Sequence, residues 1–285
     1  MSREAESQRV ATQRKIRWVL WTSTAVFVVA VPWGLHRYRQ PRLVVYANSN
    51  LPEALKVLFV GNSLTYYHDM PAIMSGLIWQ EQPDRPLKIA MVTGPGASLR
   101  DHYRSGKLKE VLRDHGPWDW VVLQEKGGLP RIQSEVVQHY TRLLAQHVRD
   151  SGARPIVYVD WLHPPVSERN NCGYYAIARH LQIDIVPVGD IWHALREKLP
   201  DCGLLRADGI HPNFVGSYVI AYACAATFLG KAPEHLPADF VFRLPNGDQL
   251  DMGTTASAVV SSRARVALQA ETSAILRDLT AAGSK

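Results

Sequence analysis

A serine becomes a nucleophile only if a base takes its proton, and the base needs a group that fixes its tautomer. Three residues of this chain could supply that set. Ser63 stands in Val57-Leu58-Phe59-Val60-Gly61-Asn62-Ser63-Leu64-Thr65, where an apolar run stops at a glycine and the serine follows two residues later. The pattern places Ser63 in the turn at the carboxyl end of a strand, where open α/β sheets bind ligands. Far downstream, Arg206-Ala207-Asp208-Gly209-Ile210-His211-Pro212-Asn213 sets an imidazole three residues after a carboxylate, so one turn can present both. Pro212 suits the first turn of a helix, which puts His211 about at its N-cap. Acyl chemistry also needs donors aimed at a developing oxyanion. Gly96, in Thr93-Gly94-Pro95-Gly96-Ala97-Ser98-Leu99, could offer an N–H, and a glycine lets that N–H approach a ligand closely. Gln124, closing Val121-Val122-Leu123-Gln124-Glu125, could offer a side-chain amide. Each feature alone has a plainer reading. Strand-end turns favour Ser, Asn and Gly anyway, Asp-x-x-His-Pro can simply cap a helix, and Gln124 can be a polar strand end.

The elements that must position these residues alternate along the chain. Short apolar runs rich in Val and Ile predict strands at Lys56–Val60, Leu87–Val92, Trp118–Leu123, Pro155–Asp160 and Ile183–Val188. Helices are expected near Pro71–Glu81, Ser98–Asp114, Ser134–Arg149, Glu168–Leu181, Ile191–Leu199 and Pro212–Leu229. Strands alternating with helices of this length argue for βαβ units and a mostly parallel five-stranded sheet flanked by helices, an α/β domain over residues 55–230. Asp190 reads as the N-cap of the helix after the fifth strand. Residues 231–285 are expected to form a hairpin around Asn246-Gly247 and a final helix from about Thr254 to Leu279, packed on the domain through Leu268, Ile275 and Leu279.

The order serine, glycine, amide, then Asp-x-x-His before the last long helix resembles the GDSL/SGNH hydrolase superfamily over roughly residues 55–230. Gly61-Asn62-Ser63-Leu64 matches the family's first block, usually Gly-Asp-Ser-Leu. Gly96 corresponds to the second-block glycine, and Asp208 with His211 to the Asp-x-x-His block. Two departures stand out: Asn62 replaces the usual Asp, and Leu123-Gln124-Glu125 replaces the usual Gly-x-Asn-Asp third block. A branch with Gly-Asn-Ser and Leu-Gln-Glu looks similar. The resemblance implies a three-layer α/β/α flavodoxin-like fold and ester hydrolysis without a metal or other cofactor. It implies that Ser63 attacks an acyl carbonyl, that His211 takes its proton and that Asp208 holds His211. The N–H groups of Ser63 and Gly96 and the Gln124 amide would form the oxyanion hole. Thr65 excludes the Gly-x-Ser-x-Gly elbow of α/β-hydrolases, and the lack of a third glycine after Gly96 excludes a dinucleotide loop.

Asn62, and Trp161 and His163 after the fourth strand, could line a substrate pocket, with core or loop packing the alternative for the latter two. No His-x-x-x-His pair lies beside a carboxylate on a helix, so no metal site is expected. The net charge is +6, but residues 1–42 hold eight Lys/Arg and two Asp/Glu, which accounts for the whole excess. The remainder is neutral, so nucleic-acid binding gains no support. Residues 1–17 read as a basic tail, 18–35 as an apolar span and 36–54 as a linker. The span, Trp18 to Leu35, is 18 uncharged residues with tryptophans near both ends. At about 1.5 Å per residue it just crosses a hydrocarbon core of ~30 Å. The expectation is one uncleaved transmembrane helix, with a cleaved signal peptide as the alternative. The positive flank places the N-terminus in the cytoplasm and the catalytic part outside. Cys172 and Cys202 could pair there, while Cys224 reads as a buried small hydrophobe. Location, rather than pocket residues, suggests a short-chain acyl ester, such as O-acetyl groups on an envelope or extracellular polysaccharide. The competing readings are an acyltransferase on the same site and a non-catalytic carbohydrate-binding domain.

Overall fold

Every residue of the strand Leu55–Gly61 is buried, and its side chains alternate between two cores. Val57 and Phe59 enter one, Leu58 and Val60 the other. The computed structural model describes residues 41–132, 134–162, 173–234, 241–243, 249–251 and 262–283. Six strands form the main sheet: β1 (Arg42–Asn48), β2 (Leu55–Gly61), β3 (Leu87–Thr93), β4 (Trp120–Leu123), β5 (Arg154–Tyr158) and β6 (Asp184–Val186), in the order β1-β3-β2-β4-β5-β6. All neighbours pair in parallel except β1, which runs antiparallel to β3. The chain leaves β2 for β3 on one side and returns to β4 on the other. The sheet therefore reverses winding direction at β2, and the crevice at the strand ends there is where such sheets hold ligands.

The alternation seen in β2 repeats in its neighbours: Ile89, Met91 and Val122 face the first core, and Ala90, Val92, Val121 and Leu123 the second. Helices cover both faces, giving three layers. On the first side lie α2 (Met70–Glu81), α8 (Val188–Lys198), α9 (Phe214–Leu229) and α10 (Ser262–Gly283). On the second lie α3 (Leu99–Ser105), α4 (Lys107–His115), α6 (Ser134–Asp150) and α7 (Gly173–Leu181). Two single turns complete the set, α1 (Ser63–Tyr66) and α5 (Leu129–Ile132). Burying one Val, Leu, Ile or Phe side chain contributes about 1.5–3 kcal/mol, so β2, which delivers Ser63, is among the most firmly held parts of the fold.

Several expectations need correction. The sheet has six strands, because residues 42–48 of the expected linker pair with β3. This edge strand leaves Val44 and Val45 exposed and carries a bulge between Val45 and Ala47, so it lacks the buried-strand pattern. The helix expected over Ser98–Asp114 is two helices. Gly106 sits at φ +68, a left-handed conformation that ends α3 and starts α4. The N-cap of α9 is Asn213, and Pro212 precedes the helix in an isolated bridge to Leu205. Asp190 lies within the first turn of α8, whose N-cap is Pro187, and accepts a hydrogen bond from Tyr175.

β7 (Val241–Arg243) and β8 (Gln249–Asp251) pair antiparallel, and the turn at Asn246-Gly247 between them lies outside the described residues. In α10, Ala264, Leu268 and Ile275 are buried in the first core. By contact the chain divides between Gln40 and Pro41. The expected span at 18–35, His163 and Cys172 lie outside the described residues. Among the described residues no helix is long and apolar enough to cross a membrane, and Cys202 and Cys224 are free thiols.

Candidate active site

Asn62 caps the single turn α1: its Oδ1 accepts the Leu64 N–H at 3.0 Å, and its backbone oxygen accepts those of Thr65 and Tyr66. Ser63 is the first helical residue, so its own N–H is one of the donors that a helix start leaves unpaired. It has no acceptor among the described residues. Gly61 must be a glycine, because a Cβ there would collide with Gln124 Oε1 and Thr65 Oγ1. Its carbonyl accepts from His102 Nε2 at 2.8 Å and from the Gly94 N–H at 3.3 Å. Burial pushes the His102 imidazole down to about 4, so that ring is neutral near neutral pH.

The loop before α9 brings the other partners. Leu205 bridges Pro212, the Arg206 N–H donates to His211 O at 2.8 Å, and the Asn213 N–H donates to Leu204 O at 2.9 Å. Trp161 Nε1 holds Ile210 O at 3.3 Å from outside the loop. So fastened, His211 presents Nε2 to Ser63 Oγ at 2.9 Å and Nδ1 to Asp208 Oδ2 at 2.9 Å. Asp208 Oδ1 accepts the N–H groups of Ile210 and His211, each at 2.9 Å. These two backbone donors, with the His211 ring, hold the exposed Asp208 carboxyl down at about 2. An ionised Asp208 accepts only, so Nδ1 of His211 carries its proton and Nε2 is free to accept from Ser63. A serine, a base and an orienting carboxylate thus stand in one hydrogen-bonded line.

Gly96 has φ +60 and its N–H, like that of Ser63, has no acceptor among the described residues. Its loop is tied to the serine turn by Asn62, whose Nδ2 donates to Ala97 O at 2.9 Å. That bond accounts for asparagine at position 62, since a carboxylate would cap α1 but could not donate to Ala97. Two backbone donors on adjoining loops are the arrangement that stabilises a tetrahedral oxyanion.

Three sequence expectations are not met. Gln124 is fully buried; its Oε1 accepts the Asn62 N–H at 2.8 Å and the Thr65 hydroxyl at 2.9 Å, and its Nε2 donates to Glu125 O. The longer side chain folds back beneath the serine turn instead of facing an oxyanion. Asn62 is 2% exposed with both amide ends engaged, so it does not line a pocket. Trp161 is 4% exposed and stacks on Trp192 at 4.3 Å, a core contact that braces the histidine loop. Among the described residues no group of three or more His, Cys, Asp or Glu is assembled that could hold a metal.

The structure also adds residues that spacing did not single out. The Tyr67 ring lies against the His211 ring, centroids 4.8 Å apart, and the Arg206 guanidinium sits 5.3 Å from the same tyrosine. Tyr67 is placed by two consecutive non-glycine residues in the left-handed region, His68 at φ 52 and Asp69 at φ 49. Such residues cost about 1–3 kcal/mol each and persist only where neighbours impose them. Here Ser217 Oγ meets His68 Nδ1 at 2.9 Å, and the Tyr46 hydroxyl donates to Asp69 at 3.0 Å. Burial, then the Arg206 charge, lowers the His68 imidazole below its ordinary value. The visible signal was the aromatic pair Tyr66-Tyr67 directly after the serine turn.

No protein-family model matches the sequence, and no curated protein does. Solved structures do. A candidate SGNH hydrolase from Slackia heliotrinireducens is similar at TM-score 0.49 and 23% identity, over 61% of this chain and 99% of that one. The psychrotrophic esterase EstA from Pseudoalteromonas sp. is similar at TM-score 0.47 and 13% identity, over 61% and 96%. A member of the lipolytic G-D-S-L family from Veillonella parvula is similar at TM-score 0.44 and 15% identity, over 62% and 99%. Of these three, one is described as a candidate SGNH hydrolase, one as an esterase and one as a lipolytic G-D-S-L protein. Identities this low leave the chemistry to be read from this chain's own residues.

Proposed function

We propose that the protein is a serine ester hydrolase of the SGNH type. The observation that carries this reading is the line Ser63 Oγ, His211 Nε2, His211 Nδ1, Asp208 Oδ2, with 2.9 Å at each hydrogen bond. His211 Nε2 accepts the proton of Ser63 Oγ as the oxygen adds to the acyl carbonyl. The carbonyl oxygen becomes an oxyanion, met by the N–H groups of Ser63 and Gly96. As the tetrahedral species collapses, the C–O bond to the alcohol breaks and His211 returns the proton to the leaving oxygen. Water then adds to the acyl-enzyme by the same proton path and releases the acid. Asp208 stays ionised throughout and keeps the imidazole in the required tautomer.

The substrate we assign is a short-chain acyl ester, such as an O-acetyl group on an envelope or extracellular polysaccharide. The support for this is the apolar, positively flanked span at 18–35, which reads as an anchor with the catalytic part outside. A fluorophosphonate probe on the full chain tests the chemistry. The expected result is one label on Ser63, none on Ser63→Ala, and hydrolysis of p-nitrophenyl acetate by the wild type alone. Absence of label and turnover in the folded wild type would overturn the reading. A series of p-nitrophenyl esters of increasing acyl length then reports chain preference, and acyl transfer to an added sugar distinguishes a transferase.

A further inference from the structure

Residues 124 and 125 end β4 and serve two different loops. Gln124 Oε1 accepts from the Asn62 N–H and the Thr65 hydroxyl, so one oxygen joins the residue before Ser63 to the residue two after it. The Asn62 N–H can only donate, so the amide oxygen must be the atom that faces it. Neither Gln124 nor Thr65 has any exposed surface. The Glu125 carboxylate accepts the Leu99 N–H at 3.2 and 3.3 Å and the Lys126 N–H at 2.6 Å. Leu99 opens α3, three residues beyond Gly96, so Glu125 pins the chain into which the Gly96 loop runs. Asn62 Nδ2 on Ala97 O closes the gap between the two loops.

We propose that Gln124 is a positioning residue for Ser63, acting as a hydrogen-bond acceptor beneath the serine turn, while Glu125 positions the Gly96 loop. Oxyanion stabilisation then falls to the two backbone N–H groups of Ser63 and Gly96, with no side-chain amide. The proposal rests on the hydrolase reading. It follows from the geometry of donors and acceptors: the amide oxygen is held by two donors, its nitrogen is spent on Glu125 O, and no atom of the side chain reaches solvent.

A double-mutant cycle on the full chain tests the acceptor role. Steady-state hydrolysis of p-nitrophenyl acetate is measured for Thr65→Val, Thr65→Ser, Gln124→Met and the Thr65→Val/Gln124→Met pair. The acceptor role predicts that Thr65→Val lowers kcat on the order of tenfold with KM unchanged, because Ser63 loses its register. Thr65→Ser, which keeps the hydroxyl, stays near wild type. The pair is no slower than Gln124→Met alone, since both changes remove the same bond. Thr65→Val at the wild-type rate, or two effects that multiply, would overturn the proposal. If Gln124→Met does not fold, the Thr65 pair alone decides: equal kcat in Thr65→Val and Thr65→Ser overturns it. Fluorophosphonate labelling of the wild type separates the two levels. A labelled wild type with an unaffected Thr65→Val sinks only the positioning role, and an unlabelled wild type sinks the hydrolase reading itself.

Discussion

In the proposed hydrolase, Ser63, His211 and Asp208 act as a unit, so removing one member forfeits most of what the three would achieve together. His211→Ala is expected to lower kcat about 10⁴-fold or more, and Asp208→Asn roughly 10³-fold, with KM little changed. Steady-state kinetics on p-nitrophenyl acetate check both, and a His211→Ala enzyme within tenfold of wild type would remove that residue from the chemistry. Behind the serine, two carboxyls carry a signature of their own. Burial pushes Glu125 up to about 7, against the opposing pull of the Lys126 and Leu99 N–H groups, and pushes Asp160 up to about 6. Both hold their protons in the folded chain at pH values where unfolded carboxyls, titrating near ~4, have lost them. Unfolding therefore releases protons, and this part of the stability is present at low pH and declines as pH rises through the folded values. Thermal denaturation at pH 5 and pH 8 should show a larger fall in Tm for wild type than for Glu125→Gln. Equal falls would mean that Glu125 does not titrate in that window.

Elements decide how far those residues could be read in advance. Ser63, Asp208 and His211 were legible because each lies close to an end of a buried, regular element: β2 stops at Gly61, and α9 begins at Phe214 behind its cap Asn213. Period and punctuation locate such ends well. Gln124 was legible as a polar residue at a strand end, but its direction was not. Whether an amide points out to a ligand or back under a turn depends on which donors lie nearby, here the Asn62 N–H and the Thr65 hydroxyl. β1 was missed because four of its seven residues face solvent and a bulge breaks its period. Tyr67 was missed because its placement depends on the left-handed backbone of His68 and Asp69, which L-residues adopt only under tertiary constraint. The start of α9 yields a prediction at this scale. A Cβ on Gly216 would collide with Leu204 O and press on Trp192 and Pro212, so α9 seats directly against the loop that holds Asp208 and His211. Gly216→Ala should destabilise the protein by about 1–3 kcal/mol and reduce kcat, seen as a lower denaturant midpoint and slower ester hydrolysis. Wild-type values for both would show that the loop does not depend on that close approach.

For the whole molecule, the charge asymmetry and the division at Gln40–Pro41 set apart a nearly neutral unit, which holds the proposed site, from a basic, partly apolar leader. If residues 18–35 anchor the chain, the full protein should sediment with membranes and resist alkaline carbonate, while a chain starting at Pro41 should stay in the supernatant with its esterase activity. A full chain released by carbonate would overturn the anchor. The cut belongs at 41 and not at 55, because removing β1 would bare the edge of β3, and exposed strand edges invite aggregation. β1 has one more consequence. It runs antiparallel to β3, and Arg42 lies opposite Thr93, the residue before the Gly94–Gly96 turn. The first residue of β1 therefore lies at the same end of the sheet as the serine and the histidine. A pull applied at Pro41 along the strand axis would therefore be shared in shear by the whole β1–β3 ladder, whose antiparallel register runs from Arg42 opposite Thr93 to Asn48 opposite Lys88.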